Sequence, residues 1–214
     1  MKRCLAASTV APAGAFRDAA CRLRAAALLV IAASIATVAP RADAAPAGDA
    51  RAFAIADGRF LLEAPAGWQR VQPRSGIVET EFSIPSEGDD QPAGRMTVMG
   101  AGGSVQANVD RWYGQFTQPD GAATKDKAVT KSLKIAGCSV TMVDVSGTYK
   151  DSPGGPFAGG KTIDRPNYRM LAAIVETPDS GSYFLKFYGP STTVAKHADG
   201  FRTMVEGLVP AAGK

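Results

Sequence analysis

The chain has 214 residues and a formal net charge of +4, and its excess positive charge lies near the N-terminus. Residues 1–44 hold six of the 24 basic and two of the 20 acidic side chains, so the following 170 residues carry 18 of each and no net charge. This balance excludes a nucleic-acid interaction driven by general positive charge. A segment of 170 residues has the length of one domain and can bury a core.

Residues 1–44 have the pattern of a secretory signal peptide. A basic region (1–24) precedes the uncharged apolar run AAALLVIAASIATVA (25–39), and Ala42-Asp43-Ala44 supplies the small residues that signal peptidase recognises. The run is shorter than the roughly 20 residues of a transmembrane helix, although retention as an uncleaved anchor is an alternative. We predict an exported, periplasmic or secreted protein that is cleaved after Ala44, with a flexible leader at 45–51 and one domain at 52–214.

Nine segments of β-type composition follow, each bounded by turn residues. They cover residues 53–56, 59–63, 69–72, 77–84, 95–99, 129–135, 138–149, 168–177 and 182–188. Most connections between them are too short for parallel crossovers, so we expect a mainly antiparallel sheet.

Two segments have the apolar spacing of amphipathic helices, one after the N-cap residue Ser104 and one after the N-cap residue Ser191. Their apolar residues are Val105, Val109, Trp112 and Phe116 in the first, and Val194, Ala198, Phe201, Val205 and Leu208 in the second. Gly200 inside the second segment indicates close packing against the sheet. The prediction is an α+β domain in which a mainly antiparallel sheet is flanked by two amphipathic helices.

Two stretches resemble the PsbP/DcrB-like superfamily: GRFLLEAPAGW, a strand that leads into Pro-x-Gly-Trp, and YFLKFYGP…FRTMVEGL, a strand followed by a terminal helix. The resemblance covers residues 52–208 and implies an α-β-α sandwich around an antiparallel sheet. Known members are mostly non-enzymatic binding or assembly factors, so it implies a non-catalytic role. No ligand residues carry over from it. The chain is also similar to exported proteins of planctomycete-type bacteria, which imply no function.

The stretch GPFAGGKT (155–162) matches the Walker A pattern G-x-x-x-x-G-K-[ST]. A P-loop needs a helix that begins at the Lys-Thr pair, but Pro166 would interrupt such a helix at a cost of about 3 kcal/mol. The residues that follow have the pattern of a strand, and an exported compartment lacks ATP. We therefore interpret the match as chance and expect no nucleotide and no other cofactor.

Few residues are candidates for other chemistry. Cys138 opens an apolar run and is interpreted as a buried core residue, and His197, the single histidine, as a solvated residue on a helix face. Glu79 and Glu81 lie on one face of a strand, about 6–7 Å apart, which suits a carboxylate-based hydrolase, but a pair of exposed acids is the commoner situation. Glu87, Asp89 and Asp90 are interpreted as a solvated loop because they lack the regular spacing of a calcium site, so no metal is expected.

The segment 150–166 is predicted to be a long loop rich in glycine and proline, and such loops are often functional. Phe157, Lys161, Asp164 and Arg165 are its candidate contact residues, and a loop without a role is the alternative. The leading hypothesis is a non-catalytic exported protein that binds a periplasmic or envelope protein. An envelope hydrolase and a small-molecule carrier with a pocket between sheet and helix are the alternatives.

Overall fold

The computed structural model describes residues 51–88, 92–153 and 161–212. The predicted signal peptide, its cleavage site and residues 45–50 of the leader lie outside the described residues. In the part that is described, no helix is long and apolar enough to cross a membrane.

Within these ranges the chain forms eleven strands and four helices. In chain order they are β1 (Ala52–Ile55), β2 (Phe60–Glu63), β3 (Gln69–Val71), β4 (Thr80–Ile84), β5 (Gly94–Ala101), α1 (Val105–Tyr113), β6 (Phe116–Thr117), α2 (Thr124–Lys127), β7 (Val129–Ile135), β8 (Cys138–Asp151), β9 (Ile163–Glu176), β10 (Ser182–Pro190), α3 (Ser191–Lys196), α4 (Ala198–Glu206) and β11 (Val209–Pro210).

The strands form two antiparallel sheets. The small sheet has the order β1-β2-β11, and the large sheet has the order β3-β4-β5-β10-β9-β8-β6, with β7 paired to β8. Every described strand pair is antiparallel, so the α+β class and the mainly antiparallel sheet are confirmed. The prediction of two helices is not confirmed, because the described residues contain four, of which α1 and α4 have nine residues each.

Two hydrophobic cores lie on opposite faces of the large sheet, because alternate side chains of a strand point to opposite faces. Leu171, Ala173 and Val175 of β9 belong to the larger core, which also contains residues of the small sheet, α3 and α4. Met170, Ala172 and Ile174 belong to the smaller core, together with Val109 and Trp112 of α1. The large sheet therefore lies between helices, as the resemblance implies.

The terminal helical segment is divided at His197, whose backbone angles are φ −99° and ψ 5°. The predicted apolar stripe is buried on both sides of this position, from Val194 to Leu208. Apolar residues spaced at three and four positions continue on both sides of the kink. The apolar spacing therefore does not predict the kink. Gly200 is closely packed as predicted, but against Pro65 rather than the sheet: an added Cβ would lie 3.1 Å from the Pro65 ring.

The loop predicted at 150–166 is shorter in the structure. Strands β8 and β9 remain paired as far as Asp151 and Ile163, so only residues 152–162 connect them. Pro166 lies inside β9, at the bulge opposite Gly147 and Tyr149, and Asn167 has φ 57°. Proline is tolerated at a bulge, where the regular pairing is interrupted. The turn-forming composition of this segment therefore led the sequence prediction to end both strands too early.

Glycine is required at position 147, on the strand partner of β6. Gly147 has φ 148°, and a Cβ there would lie 2.6 Å from the carbonyl oxygen of Thr117. The absence of a side chain lets residues 117–118 approach β8, where Gln118 donates to the Ser146 carbonyl at 2.9 Å. This close approach positions the end of α1 and the chain that follows it over the sheet.

Candidate functional site

Three of the four predicted contact residues, Lys161, Asp164 and Arg165, lie among the described residues. Phe157 lies outside the described residues, and Lys161 is exposed just before β9. Asp164 and Arg165 are strand residues rather than loop residues, and Arg165 pairs with Asp151 of β8 at 3.3 Å. The Lys161-Thr162 pair leads directly into β9, so the helix that a P-loop needs at this point is replaced by a strand.

The Glu79 and Glu81 carboxylates have different surroundings. Glu79 is exposed and accepts a hydrogen bond from the Gly100 amide at 3.1 Å. Glu81 is buried and accepts two 2.8 Å hydrogen bonds from the Arg95 guanidinium and a third from the Arg74 amide. Burial alone would raise the pKa of Glu81, but the hydrogen bonds from Arg95 and Arg74 lower it below the ordinary value. Glu81 is thus a paired structural carboxylate, and its interpretation as an exposed acid is wrong.

The prediction for Cys138 is confirmed, whereas the prediction for His197 is wrong. Cys138 is fully buried in the larger core, as predicted. His197 is half-buried rather than solvated, and its Nδ1 accepts a hydrogen bond from the Trp68 indole at 3.2 Å. Glu87 lies in a described loop, whereas Asp89 and Asp90 lie outside the described residues. Among the side chains that the structure describes, no three His, Cys, Asp or Glu residues are grouped to hold a metal ion.

A polar group that sequence inspection missed lies on the central strand β10. Phe184, Lys186 and Tyr188 share one face of this strand, which is the face packed by α1. Trp112 of α1 covers Phe184, with ring centroids 5.1 Å apart. The helix then ends at Tyr113, and the chain that leaves it brings Gln115 to Lys186. Lys186 is therefore only half-buried, at the margin of the smaller core.

The Lys186 ammonium is held by one carboxamide and two aromatic rings. Its Nζ donates to Gln115 Oε1 at 2.6 Å and to the Tyr149 hydroxyl at 3.5 Å. The same atom lies 5.3 Å from the ring centroid of Tyr149 and 5.1 Å from that of Tyr188. These distances are within the range of a cation–π interaction. We call the group formed by Lys186, Gln115, Tyr149, Tyr188 and Arg95 the lysine cluster.

Arg95 connects the lysine cluster to Glu81 on β4. Its position on β5 lies directly opposite Tyr188 in the register of β10, and its guanidinium donates to the Tyr188 hydroxyl at 2.7 Å. The hydrogen bond to Glu81 raises the pKa of Arg95 above its ordinary value. Arg95 therefore remains a cation whose charge is already balanced by Glu81.

Among the described residues, no carboxylate pairs with Lys186 in the way that Glu81 pairs with Arg95. The ion pairs formed between described residues do not include it. Burial, together with the positive charges of Arg95 and Arg111, lowers the pKa of Lys186 to about 7. Burial also raises the pKa of the Tyr149 and Tyr188 hydroxyls, which therefore keep their hydrogens at neutral pH.

The lysine cluster contains more hydrogen-bond donors than acceptors. Tyr149 accepts from Lys186 and Tyr188 accepts from Arg95, so each hydroxyl retains a hydrogen that it can donate. Within the described ranges no side chain or carbonyl accepts either hydrogen. The arrangement is suited to holding a group that supplies acceptors and negative charge.

Comparisons with known proteins find similar solved structures but no related sequence. No family model and no curated protein matches its sequence. The structure is similar to the cyanobacterial PsbP protein CyanoP of Synechocystis sp. PCC 6803, with 11% identity, a TM-score of 0.47, and coverage of 81% of this chain and 100% of that one. A PsbP protein is thus among the structural neighbours, as the resemblance predicted.

Two further solved structures are similar. One is the protein of unknown function PA94 of Pseudomonas aeruginosa, described as a putative regulator, with 12% identity, a TM-score of 0.42, and coverage of 76% of this chain and 97% of that one. The other is LpqN of Mycobacterium tuberculosis, described as involved in cell envelope biogenesis, with 12% identity, a TM-score of 0.43, and coverage of 71% and 83%. At these scores none of the three lends a ligand or a function to this chain.

One sequence feature could have indicated the lysine cluster. In SYFLKFYGP, Lys186 interrupts a strand that is otherwise apolar and aromatic, and a lysine in such a strand is seldom buried without a partner. Its neighbours come from β5, β8 and the residues after α1, so the sequence pattern could mark Lys186 but not the residues around it.

Proposed function

We propose that the chain is an exported, non-catalytic binding protein of the periplasm or cell envelope, and that the lysine cluster is its principal binding surface. The observation that carries this proposal is the surplus of donors around a half-buried lysine on the central strand of the sheet. Lysine is seldom buried without a paired group. The export part of the proposal is supported by the signal-peptide pattern of residues 1–44.

Two further observations support binding at the surface rather than catalysis or an enclosed pocket. Glu81 is engaged by Arg95, so the carboxylate pair considered for a hydrolase is not presented to one cleft. Hydrophobic side chains pack between the large sheet and α1, α3 and α4. A small-molecule carrier would need a pocket at this position. Residues 152–162, at the end of the β8–β9 pair, are retained in the proposal as a second contact.

Site-specific photo-cross-linking tests the principal surface. A photoreactive phenylalanine analogue is placed at Arg111, an exposed residue of α1 whose guanidinium lies 5.8 Å from the Phe184 ring. The matched control places it at Arg202, on α4 at the opposite face of the sheet. In cells that export the full chain, we expect an adduct of defined mass at position 111 and none at position 202. No adduct at 111, or the same adduct at both positions, would contradict the proposal.

A further inference from the structure

We propose that the lysine cluster recognises an anionic oxygen group, either a carboxylate or a tetrahedral oxyanion of the sulfate or phosphate type. This inference rests on the proposed function and specifies the chemistry of the ligand. It follows from the charges, the donors and the accessibility of the cluster.

The charges around Lys186 favour an anion. Arg95 and Arg111 are the neighbouring cations, and the Arg95 charge is balanced by Glu81. Asp151 is the nearby carboxylate that acts on Lys186, but it pairs with Arg165 instead. A cationic ligand would be repelled by Lys186 and Arg111, whereas an anion would supply a counter-charge for Lys186. Such an interaction is stronger at a partly buried site than in bulk water.

The donors point to oxygen as the contacting atom. The ammonium has three hydrogens, of which Gln115 and Tyr149 accept two at 2.6 and 3.5 Å. The third hydrogen and the hydroxyl hydrogens of Tyr149 and Tyr188 have no acceptor in the described part of the chain. One group with two or more acceptor oxygens would satisfy several of these donors together, and charge-assisted hydrogen bonds of this kind are the strong ones.

Part of the lysine cluster lies at the surface of the described structure. Lys186, Tyr188, Gln115 and Arg95 each keep part of their surface in contact with solvent, while Tyr149 lies beneath them. Gln115 and the two aromatic rings fix the position of the ammonium, so little reorganisation is needed when a ligand binds.

The test uses acetate and sulfate as probes for the two kinds of anion, because neither titrates between pH 6 and pH 9. The purified chain is titrated with each salt at constant ionic strength, and the Lys186 side chain is observed by NMR. Bound anion favours the protonated amine, so we expect each binding probe to raise the pKa of Lys186. The affinity for the anion should then fall about tenfold per pH unit above the pKa that Lys186 has in the unbound protein.

Three variants separate recognition from general charge. Lys186→Met should weaken binding at least tenfold, whereas Lys131→Met, which removes an exposed lysine of β7, should leave it unchanged. Lys186→Arg keeps the charge but does not deprotonate below pH 9. It should therefore retain binding and lose the pH dependence. Circular dichroism checks that each variant is folded, and the arginine variant keeps the test decisive if the methionine variant is not.

Saturable, lysine-dependent binding of either anion supports the inference, and the anion that binds more tightly identifies the preferred geometry. The absence of saturable binding to the unmodified chain would overturn it, as would binding that persists in Lys186→Met or keeps its pH dependence in Lys186→Arg. An adduct at position 111 without anion binding would overturn this inference and leave the proposed function standing. Anion binding without an adduct at position 111 would support this inference and contradict the proposal that the surface captures a macromolecule.

Discussion

At the scale of single residues, ionisable groups in this protein are placed where their charge state affects stability. Glu81 shows this most directly, because its carboxylate is 1% exposed and accepts three hydrogen bonds from Arg95 and Arg74. Removing one partner of a buried ion pair leaves the other charge uncompensated, at a typical cost of about 3–5 kcal/mol. Arg95 retains some contact with solvent, which places the expected cost at the lower end.

We expect Glu81→Gln to lower the free energy of unfolding by about 3 kcal/mol. The matched change Glu79→Gln, at an exposed position, should change it by no more than about 0.5 kcal/mol. Denaturant unfolding at pH 7 measures both. Since the folded-state pKa of Glu81 lies below the reference value of 4.5, its stabilisation is present above pH 4.5 and is lost as the pH falls through the folded pKa. Similar losses in the two variants would show that the ion pair is not structural.

His197 gives a second dependence on pH, with a different origin. Burial lowers the pKa of His197, although the nearby Glu87 partly opposes this, and Nδ1 accepts the hydrogen bond from Trp68 only while it is unprotonated. The folded state therefore favours the neutral ring. As the pH falls below 6.5, the unfolded chain gains a proton before the folded chain does, so stability decreases until the folded pKa is reached.

Urea unfolding at several pH values between 5 and 8 measures this effect. We expect the midpoint of the unmodified chain to fall over the acid part of this range, and the midpoint of His197→Gln to change less. Glutamine still offers the Trp68 indole an acceptor but does not titrate. Because the chain contains one histidine, parallel behaviour of the two proteins would contradict the assigned role.

At the scale of elements, β8 and β9 raise the question of whether the strands pair without help from the segment that connects them. The two strands have 14 residues each and are in register up to Asp151 and Ile163. We therefore expect the pairing of the two strands to persist when the connection between them is shortened. The entropy of loop closure changes slowly with length, by about 0.6 kcal/mol per doubling.

Replacing residues 153–161 by a tight Asn-Gly turn should leave the thermal midpoint unchanged or slightly raised. Because the segment is proposed as a second contact, the yield of the adduct formed at position 111 should fall in the shortened chain. Differential scanning calorimetry and the cross-linking yield check the two parts. A large loss of stability would mean that the loop packs against the domain, and an unchanged yield would remove the loop from the binding surface.

At the scale of the whole molecule, the proposed function depends on export. The charge asymmetry assigns the entire net charge of +4 to residues 1–44, so cleavage after Ala44 would leave a chain with no net charge. The small residues Ala42 and Ala44 fit the sites that signal peptidase recognises, whereas cleavage after Ala39 would place Pro40 next to the bond.

We expect the exported protein to begin at Ala45, and the intact mass of the protein purified from the producing cells measures this directly. Cell fractionation should place the processed chain outside the cytoplasm. A product that retains residues 25–39 would instead indicate an uncleaved anchor, and an unprocessed chain in the cytoplasm would contradict the export part of the proposal.

The sequence by itself determined the local features of the domain. The order of strands and helices along the chain, the mainly antiparallel pairing and the buried stripe from Val194 to Leu208 follow from side-chain periodicity and from short connections, and both are properties of neighbouring residues. The burial of Cys138 follows in the same way from the apolar run that it opens.

Only the tertiary structure decided which polar residues meet. The lysine cluster joins residues from β5, β8, β10 and the chain after α1. Their contacts depend on the registers of three strand pairs, β5–β10, β10–β9 and β9–β8, and on where α1 ends. The pairing of Glu81 with Arg95, the kink at His197 and the extension of β9 through Pro166 depend on similar distant neighbours. Side-chain periodicity along one segment assigns a residue to a face, but the residue that it meets there is set by packing between segments far apart in the chain.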